Sequence, residues 1–154
     1  MKKTLLWLLG GVTTAYVFDV YLRDRAAGNR ARELAIRANK PMIVVGAGTE
    51  TASFTGPKFW GRGIPGSVHC DAAASKDAPC GQDTVCFCDA MDLSKFGDKQ
   101  FSVALASNFL RYVPDRPRAE RELHRIADTV VISDHVIRWP QIGAGSTWAL
   151  NGLR

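Results

Sequence analysis

The chain has 154 residues, long enough for one domain with a real core and too short for two of ordinary size. Its net charge of +5 is not spread evenly: residues 1–40 carry eight Lys or Arg against three acidic residues, whereas residues 41–154 carry twelve of each. The body of the protein is therefore neutral, which removes the main support for a nucleic-acid face, and no nucleic-acid partner is expected.

From Thr4 to Leu22 the sequence TLLWLLGGVTTAYVFDVYL has no charge except Asp19. As a helix this stretch would be roughly 28 Å long, about one hydrocarbon thickness. Trp7, Tyr16 and Tyr21 suit interfacial anchoring, and Asp19 lies close enough to the end to reach water. Lys2 and Lys3 ahead of an apolar stretch also fit a signal peptide, but no small-x-small cleavage site closes it and apolar residues continue through VFDVYL. The expectation is an uncleaved single-pass anchor over residues 1–22, with residues 4–22 in contact with membrane lipid.

Arg23, Arg25, Arg30, Arg32, Arg37 and Lys40 follow the span, against two lysines before it. The positive-inside rule then puts the globular part in the cytoplasm or an equivalent reducing compartment. Residues 23–40 should continue as a basic juxtamembrane helix, with Gly28-Asn29 as a break. Its arginines either meet anionic headgroups or decorate a solvated stalk.

After Lys40 the apolar runs are short and rich in β-branched residues: Met42–Val45, Val68–Cys70, Thr84–Cys88, Phe101–Ala106 and Thr129–Ser133. Runs of this length flanked by turn residues read as strands buried on both faces. RPRAERELHRIAD, between the last two, reads as a helix with Ala119, Leu123, Ile126 and Ala127 on one stripe and Pro117 in its first turn. Strand, helix, strand with wholly apolar strands points to a parallel sheet in a doubly wound α/β fold.

Cys70, Cys80, Cys86 and Cys88 do not read as a disulfide scaffold. Cys86 and Cys88, two apart on a strand, share a face and cannot easily bridge each other, and no CxxC-like pair offers a zinc site. Buried free thiols are expected, in keeping with a reducing compartment, and no metal site is expected. His69 reads as a core or interface residue and His124 as a helix-surface residue.

The run DAMDLSKFGDKQFSVALASNFLRYVPDRPRAERELHRIADTVVISD resembles the middle of a class I S-adenosylmethionine-dependent methyltransferase of the type 11 kind. The shared signals are an Asp-Ala pair, an Asp-Leu, a fourth strand, a helix ending in Val-Pro-Asp, and an Arg-Glu-Leu helix before the fifth strand. The resemblance covers roughly residues 41–134 and implies a truncated Rossmann-like sheet of about five strands, followed by a C-terminal tail over 135–154.

It further implies that the strand ends hold S-adenosylmethionine. Gly46 and Gly48 would let backbone approach the ligand at the first turn. Asp71 would accept from the ribose hydroxyls, and Asp89 with Ala90 would contact the adenine. Ser107 and Asn108 would face the departing methyl group. Asp71 and Asp89 read equally well as turn or helix caps, and Asn108 as a cap for FLRYV. Asn108 and His135, the latter just past the fifth strand, are the catalytic candidates.

The chain also departs from the family. Val44 stands where an acidic residue orients the loop, and Glu50 stands at the third glycine position. A carboxylate there, about 4 Å from the cofactor's own, would cost on the order of 4 kcal/mol at an effective dielectric near 20. The segment TETASFTGPKFWGRGIPGS should carry a long helix but breaks up at Pro57, Gly61, Gly63, Pro65 and Gly66. Phe54, Phe59 and Trp60 either plug that gap or face a partner. After Asp134 only 20 residues remain, so the edge of the fifth strand needs cover from the tail, another chain or the membrane.

Two functions compete: a membrane-anchored methyltransferase acting on a membrane-near substrate, and a degenerate methyltransferase-like domain kept as a structural or assembly subunit of a membrane complex or virus particle. A nicotinamide-dependent reductase is weaker, because the turn is GAGTET and not GxGxxG.

Overall fold

The computed structural model describes the backbone of residues 2–49 and 58–133; the side chains of residues 2–17, 19 and 20 lie outside that description. In chain order the elements are α1 (Lys2–Ala38), β1 (Met42–Val45), β2 (Val68–Asp71), β3 (Val85–Phe87), β4 (Phe101–Ser107), a 3-10 turn (Leu110–Tyr112), α2 (Arg116–Ile126) and β5 (Ala127–Ser133). The five strands form one sheet in the order β3-β2-β1-β4-β5, with every neighbouring pair parallel. All five expected strands are present, within a residue or two of their expected bounds.

β1 and β4 are buried along their whole length, so their residues alternate between two apolar layers. Ile43, Val45, Ala104 and Ala106 pack with Ala119, Leu123 and Ile126 of α2. Met42, Val44, Val103 and Leu105 pack on the opposite side with Ala31 and Ala35 of α1. Among the described residues one helix packs on each face.

α2 begins as the sequence suggests. Asp115 caps it by accepting from the Arg118 backbone N–H at 2.9 Å, and proline occupies the first turn. Its end differs from expectation. Ala127 is extended and pairs with Phe101, so Ala127 and Asp128 belong to β5 and not to the helix. The helical stripe ends at Ile126, and no loop separates helix from strand.

Two of the short signals behind the family resemblance meet in one contact. Glu122 accepts from the Leu93 N–H at 2.9 Å, while Arg125 donates to the carbonyls of Leu93 and Phe96 at 2.9 and 3.0 Å. Arg125 also pairs with Glu122 and Asp98. α2 thereby holds the β3–β4 connection, which has turns but no helix of its own.

α1 runs without interruption to Ala38, so the expected break at Gly28-Asn29 is absent. Asp24, Gly28, Ala31 and Ala35 recur at helical spacing on one stripe, and all four are buried. Gly28 is needed for contact and not for bending: a Cβ there would lie 2.2 Å from Trp60 Cε2. Trp60, in the connection between β1 and β2, thus packs into the notch that Gly28 leaves. Arg32 closes the same contact by donating to the Trp60 and Arg62 carbonyls at 2.9 and 2.6 Å. Gly28→Ala is expected to destabilise the protein by about 1–3 kcal/mol through overpacking, read as a lower urea midpoint. An unchanged midpoint would mean that α1 does not pack this closely.

Among the described residues no helix is long and apolar enough to cross a membrane. Most side chains of the expected span 4–22 are outside the description.

The cysteines depart most from expectation. Cys70 bridges Cys88, and Cys80 bridges Cys86, leaving no free thiol. Cys86 and Cys88 do share a face and do not bridge each other, as their spacing requires. That shared face looks onto neighbouring chain: Cys70 stands opposite Cys86 in the β2–β3 register, and the connection between these strands carries Cys80 back beside Cys86. The Cα atoms are 5.5 and 4.8 Å apart in the two bridges, within ordinary disulfide reach.

Candidate functional site at the strand ends

In an open parallel sheet the groups that can meet a ligand gather where the strands end. The β1 turn is built there by two glycines at φ +74° and +75°, conformations that side-chain-bearing residues rarely adopt. The N–H groups of Gly46 and Ala47 both donate to the Cys70 carbonyl, at 3.0 and 3.1 Å. Gly48 donates to Asp71 Oδ2 at 2.8 Å, and Ala73 donates to Asp71 Oδ1 at 2.8 Å. Each carboxylate oxygen of Asp71 therefore already holds a backbone N–H, and the residue ties the β1 turn to the end of β2.

Asp89 lies just past β3, with Oδ1 accepting from the Met91 N–H at 2.9 Å and its backbone bridging to Asp92. Ala90 beside it is buried. Ser107 ends β4 next to the glycine turn. The space that a side chain at Gly46 would enter is filled by the Phe109 ring, 2.5 Å from an ideal Cβ, and by the Ser107 carbonyl at 2.8 Å.

The Ser107 hydroxyl belongs to a network that sequence reading did not find. It donates to Asp24 Oδ1 at 2.9 Å and accepts from Lys58 Nζ at 2.8 Å, while Lys58 Nζ lies 2.6 Å from Asp24 Oδ2. Ser107 is 2% exposed and Asp24 7% exposed. Three groups far apart in sequence, from α1, from the return of the β1–β2 connection and from β4, are thus closed on one another. The Lys58 backbone N–H also bonds the Ala47 carbonyl at 2.9 Å, which sets the lysine against the β1 turn.

A signal for this network was present. Asp24 is an acidic residue on the same helical stripe as Gly28, Ala31 and Ala35, and a charge on a buried stripe needs a partner. Nothing local in the sequence names Lys58 as that partner.

The structure brings Gly46, Gly48, Asp71 and Ser107 into one continuous edge, with Asp89 and Ala90 beyond the end of β3. Asn108 sits at φ +56°, its N–H donating to the Ser133 carbonyl at 2.8 Å. It does not cap the following 3-10 turn, whose N-cap position is Phe109. The Asn108 Oδ1 and Ser133 Oγ atoms are both buried without a hydrogen-bond partner. Glu50, Phe54 and His135 lie outside the described residues, as does the tail over 135–154. Among the described residues no group of His, Cys, Asp and Glu is arranged to hold a metal.

Tested against S-adenosylmethionine, the described part of this edge is a poor fit. The hydroxyl of Ser107 is buried and engaged and the approach to Gly46 is filled by Phe109, whereas each Asp71 oxygen holds one backbone donor and keeps acceptor capacity. Val44 is a wholly buried strand residue and offers no acceptor for an amino group.

His69 occupies a core position. It is fully buried in β2, its Nε2 accepts from the Gly61 N–H at 3.0 Å, and its Nδ1 is 3.1 Å from the Gly81 carbonyl. Phe59 packs edge-on against its ring at 5.2 Å. Burial is the main cause that holds the imidazole below its ordinary pKa, and the Gly61 contact requires a neutral ring. The unfolded chain takes up a proton near pH 6.5, roughly, whereas the folded chain resists until lower pH. Stability should therefore fall as pH drops through about 6.5 and level off below the folded value. Urea midpoints compared across this range with those of His69→Gln check this: the variant should lose the part of the slope due to this group, and an unchanged slope would contradict it.

Fold and edge together define a class: an α/β protein with a five-stranded, all-parallel sheet and its chemically equipped positions at the strand ends. No protein-family model matches the chain.

Proposed function

We propose that this is a membrane-anchored protein whose globular part is a Rossmann-like, methyltransferase-like sheet that serves as a structural or assembly module and does not transfer methyl groups. The observation that carries this reading is the Asp24–Lys58–Ser107 network. A cofactor edge needs polar groups that ligand can reach; here the hydroxyl at the end of β4 is satisfied from within, by a helix that precedes the sheet and a lysine that returns to it. The positive-φ glycines and Asp71 support descent from a cofactor-binding turn, but their hydrogen bonds are those of a turn that holds itself together.

The apolar stretch over residues 4–22 supports single-pass anchoring. The two disulfides favour an oxidising compartment for the globular part, and so reverse the side suggested by the basic flank. As an assembly subunit the protein would offer the outer edge of β5, where Ile132 is 40% exposed, to a protein partner.

Thermal unfolding of the full chain in detergent, with and without millimolar S-adenosylmethionine, tests the reading. The expected result is an unchanged midpoint. A rise of several degrees, as mass action requires of a ligand held at micromolar affinity, would instead support an active enzyme on a membrane-near substrate.

A further inference from the structure

The direction of α1 relative to the sheet fixes which edge of the domain meets the bilayer. At the N-terminal edge of the strands, Lys40 Nζ reaches the Lys99 carbonyl at 2.6 Å and Asp128 at 2.7 Å, and Ser102 Oγ donates toward the Lys40 and Pro41 carbonyls at 3.0 Å. At the opposite edge Asp24 is bonded to Ser107, the last residue of β4. α1 therefore runs antiparallel to the strands, and its N-terminal half projects beyond the edge that carries Gly46, Gly48, Asp71 and Ser107.

No linker separates that projection from the domain. The apolar stretch closes at Leu22, and Asp24, two residues on, is already locked to Lys58 and Ser107. Two residues of helix rise about 3 Å. The headgroup layer of one leaflet is roughly 5–8 Å deep, as the difference between whole-bilayer and hydrocarbon thickness implies. A span that ends at Leu22 thus leaves the strand-end edge inside the headgroup layer, and not on a stalk above it.

The side chains at this edge suit that layer. Tyr21 and Leu22 are 45% and 47% exposed, and Phe18, one turn earlier, is 60% exposed. Arg25 donates to the Tyr21 hydroxyl at 3.3 Å. The 3-10 turn that leaves β4 at the same edge presents Tyr112, 46% exposed, with the Arg111 guanidinium 4.8 Å from its ring centre. Tyrosines with arginines alongside are the pairing that interfacial anchoring uses, the ring at the headgroup boundary and the cation at phosphate.

We infer that the strand-end edge, from Tyr21 and Arg25 of α1 across to Arg111 and Tyr112, is a docking surface for the phospholipid headgroup layer, so that bilayer and not bulk water covers the former ligand edge. The inference rests on residues 4–22 spanning the membrane.

The test uses the full chain in mixed phosphatidylcholine and phosphatidylglycerol vesicles, with a nitroxide placed in turn at Tyr112→Cys and at Ala38→Cys, which marks the far end of α1. Flotation with the vesicles after a carbonate wash reports whether the chain spans. Relaxation by an aqueous nickel chelate reports depth. The expected result is flotation, with the label at 112 relaxed several-fold less than the label at 38. A chain that does not float overturns the spanning reading and the docking edge with it. A chain that floats with both labels equally relaxed leaves the span standing and overturns the docking edge alone.

Discussion

Replacing Lys58 by methionine is expected to destabilise the protein by about 3–5 kcal/mol, because it leaves the Asp24 carboxylate buried beside Ser107 with no cation to balance it. The Asp24–Lys58 side chains are only 10% and 17% exposed, so solvent screening cannot replace the lost partner. Two secondary effects follow from the same geometry. One tie between the β1–β2 connection and α1 is lost, and the Ser107 hydroxyl loses its donor. A double replacement, Asp24→Leu with Lys58→Met, should recover much of the loss, since removing both charges together avoids the unpaired one. Urea unfolding of the three proteins measures this; a single variant within about 0.5 kcal/mol of wild type would mean the pair is solvated and the network carries little.

The second large effect concerns the β2–β3 bridges. Cys70 and Cys88 are 18 residues apart, and closing a loop of this order contributes about 3 kcal/mol in the chain-entropy account. Cys70→Ala with Cys88→Ala should lower stability by about that amount, and Cys80→Ala with Cys86→Ala by less, since that bridge spans only six residues. β3 is three residues long at the end of the sheet, so these bridges are a main attachment for the strand and for Asp89 and Ala90 beyond it. Equilibrium unfolding of both pairs of variants, with and without dithiothreitol, checks the ranking. Wild type insensitive to dithiothreitol, or a larger loss from the shorter bridge, would contradict it.

The contrast between these two features shows what the sequence carried. The five strands were legible because each is a short, β-branched apolar run between turn residues, and a strand buried on both faces has no other way to be written. α2 was legible from its cap and its stripe, and its end was misread because Ala127 fits a helical stripe and a buried strand start equally well. The disulfides were missed because bridging was weighed only between Cys86 and Cys88, whereas Cys70 meets Cys88 across the β2–β3 pairing and the connection before β3 brings Cys80 to Cys86. Register is a property of two strands together, and neither strand alone states it.

The strand-end positions show the same division. Gly46, Gly48 and Asp71 were legible as strand-end positions, since turn geometry and strand ends are local. The engagement of Ser107 was not legible, because Asp24 lies 83 residues from it and Lys58 lies 49 from it. Gly28 was read as a helix break from its intrinsic propensity, and tertiary contact with Trp60 overrode that preference.

We propose that the strand-end edge is closed by the chain's own residues and holds no S-adenosylmethionine. Isothermal titration of the detergent-solubilised full chain with S-adenosylmethionine and with its demethylated product tests this most directly. No binding is expected at millimolar ligand. Micromolar binding that is abolished by Asp71→Ala, in a variant shown to remain folded, would contradict it.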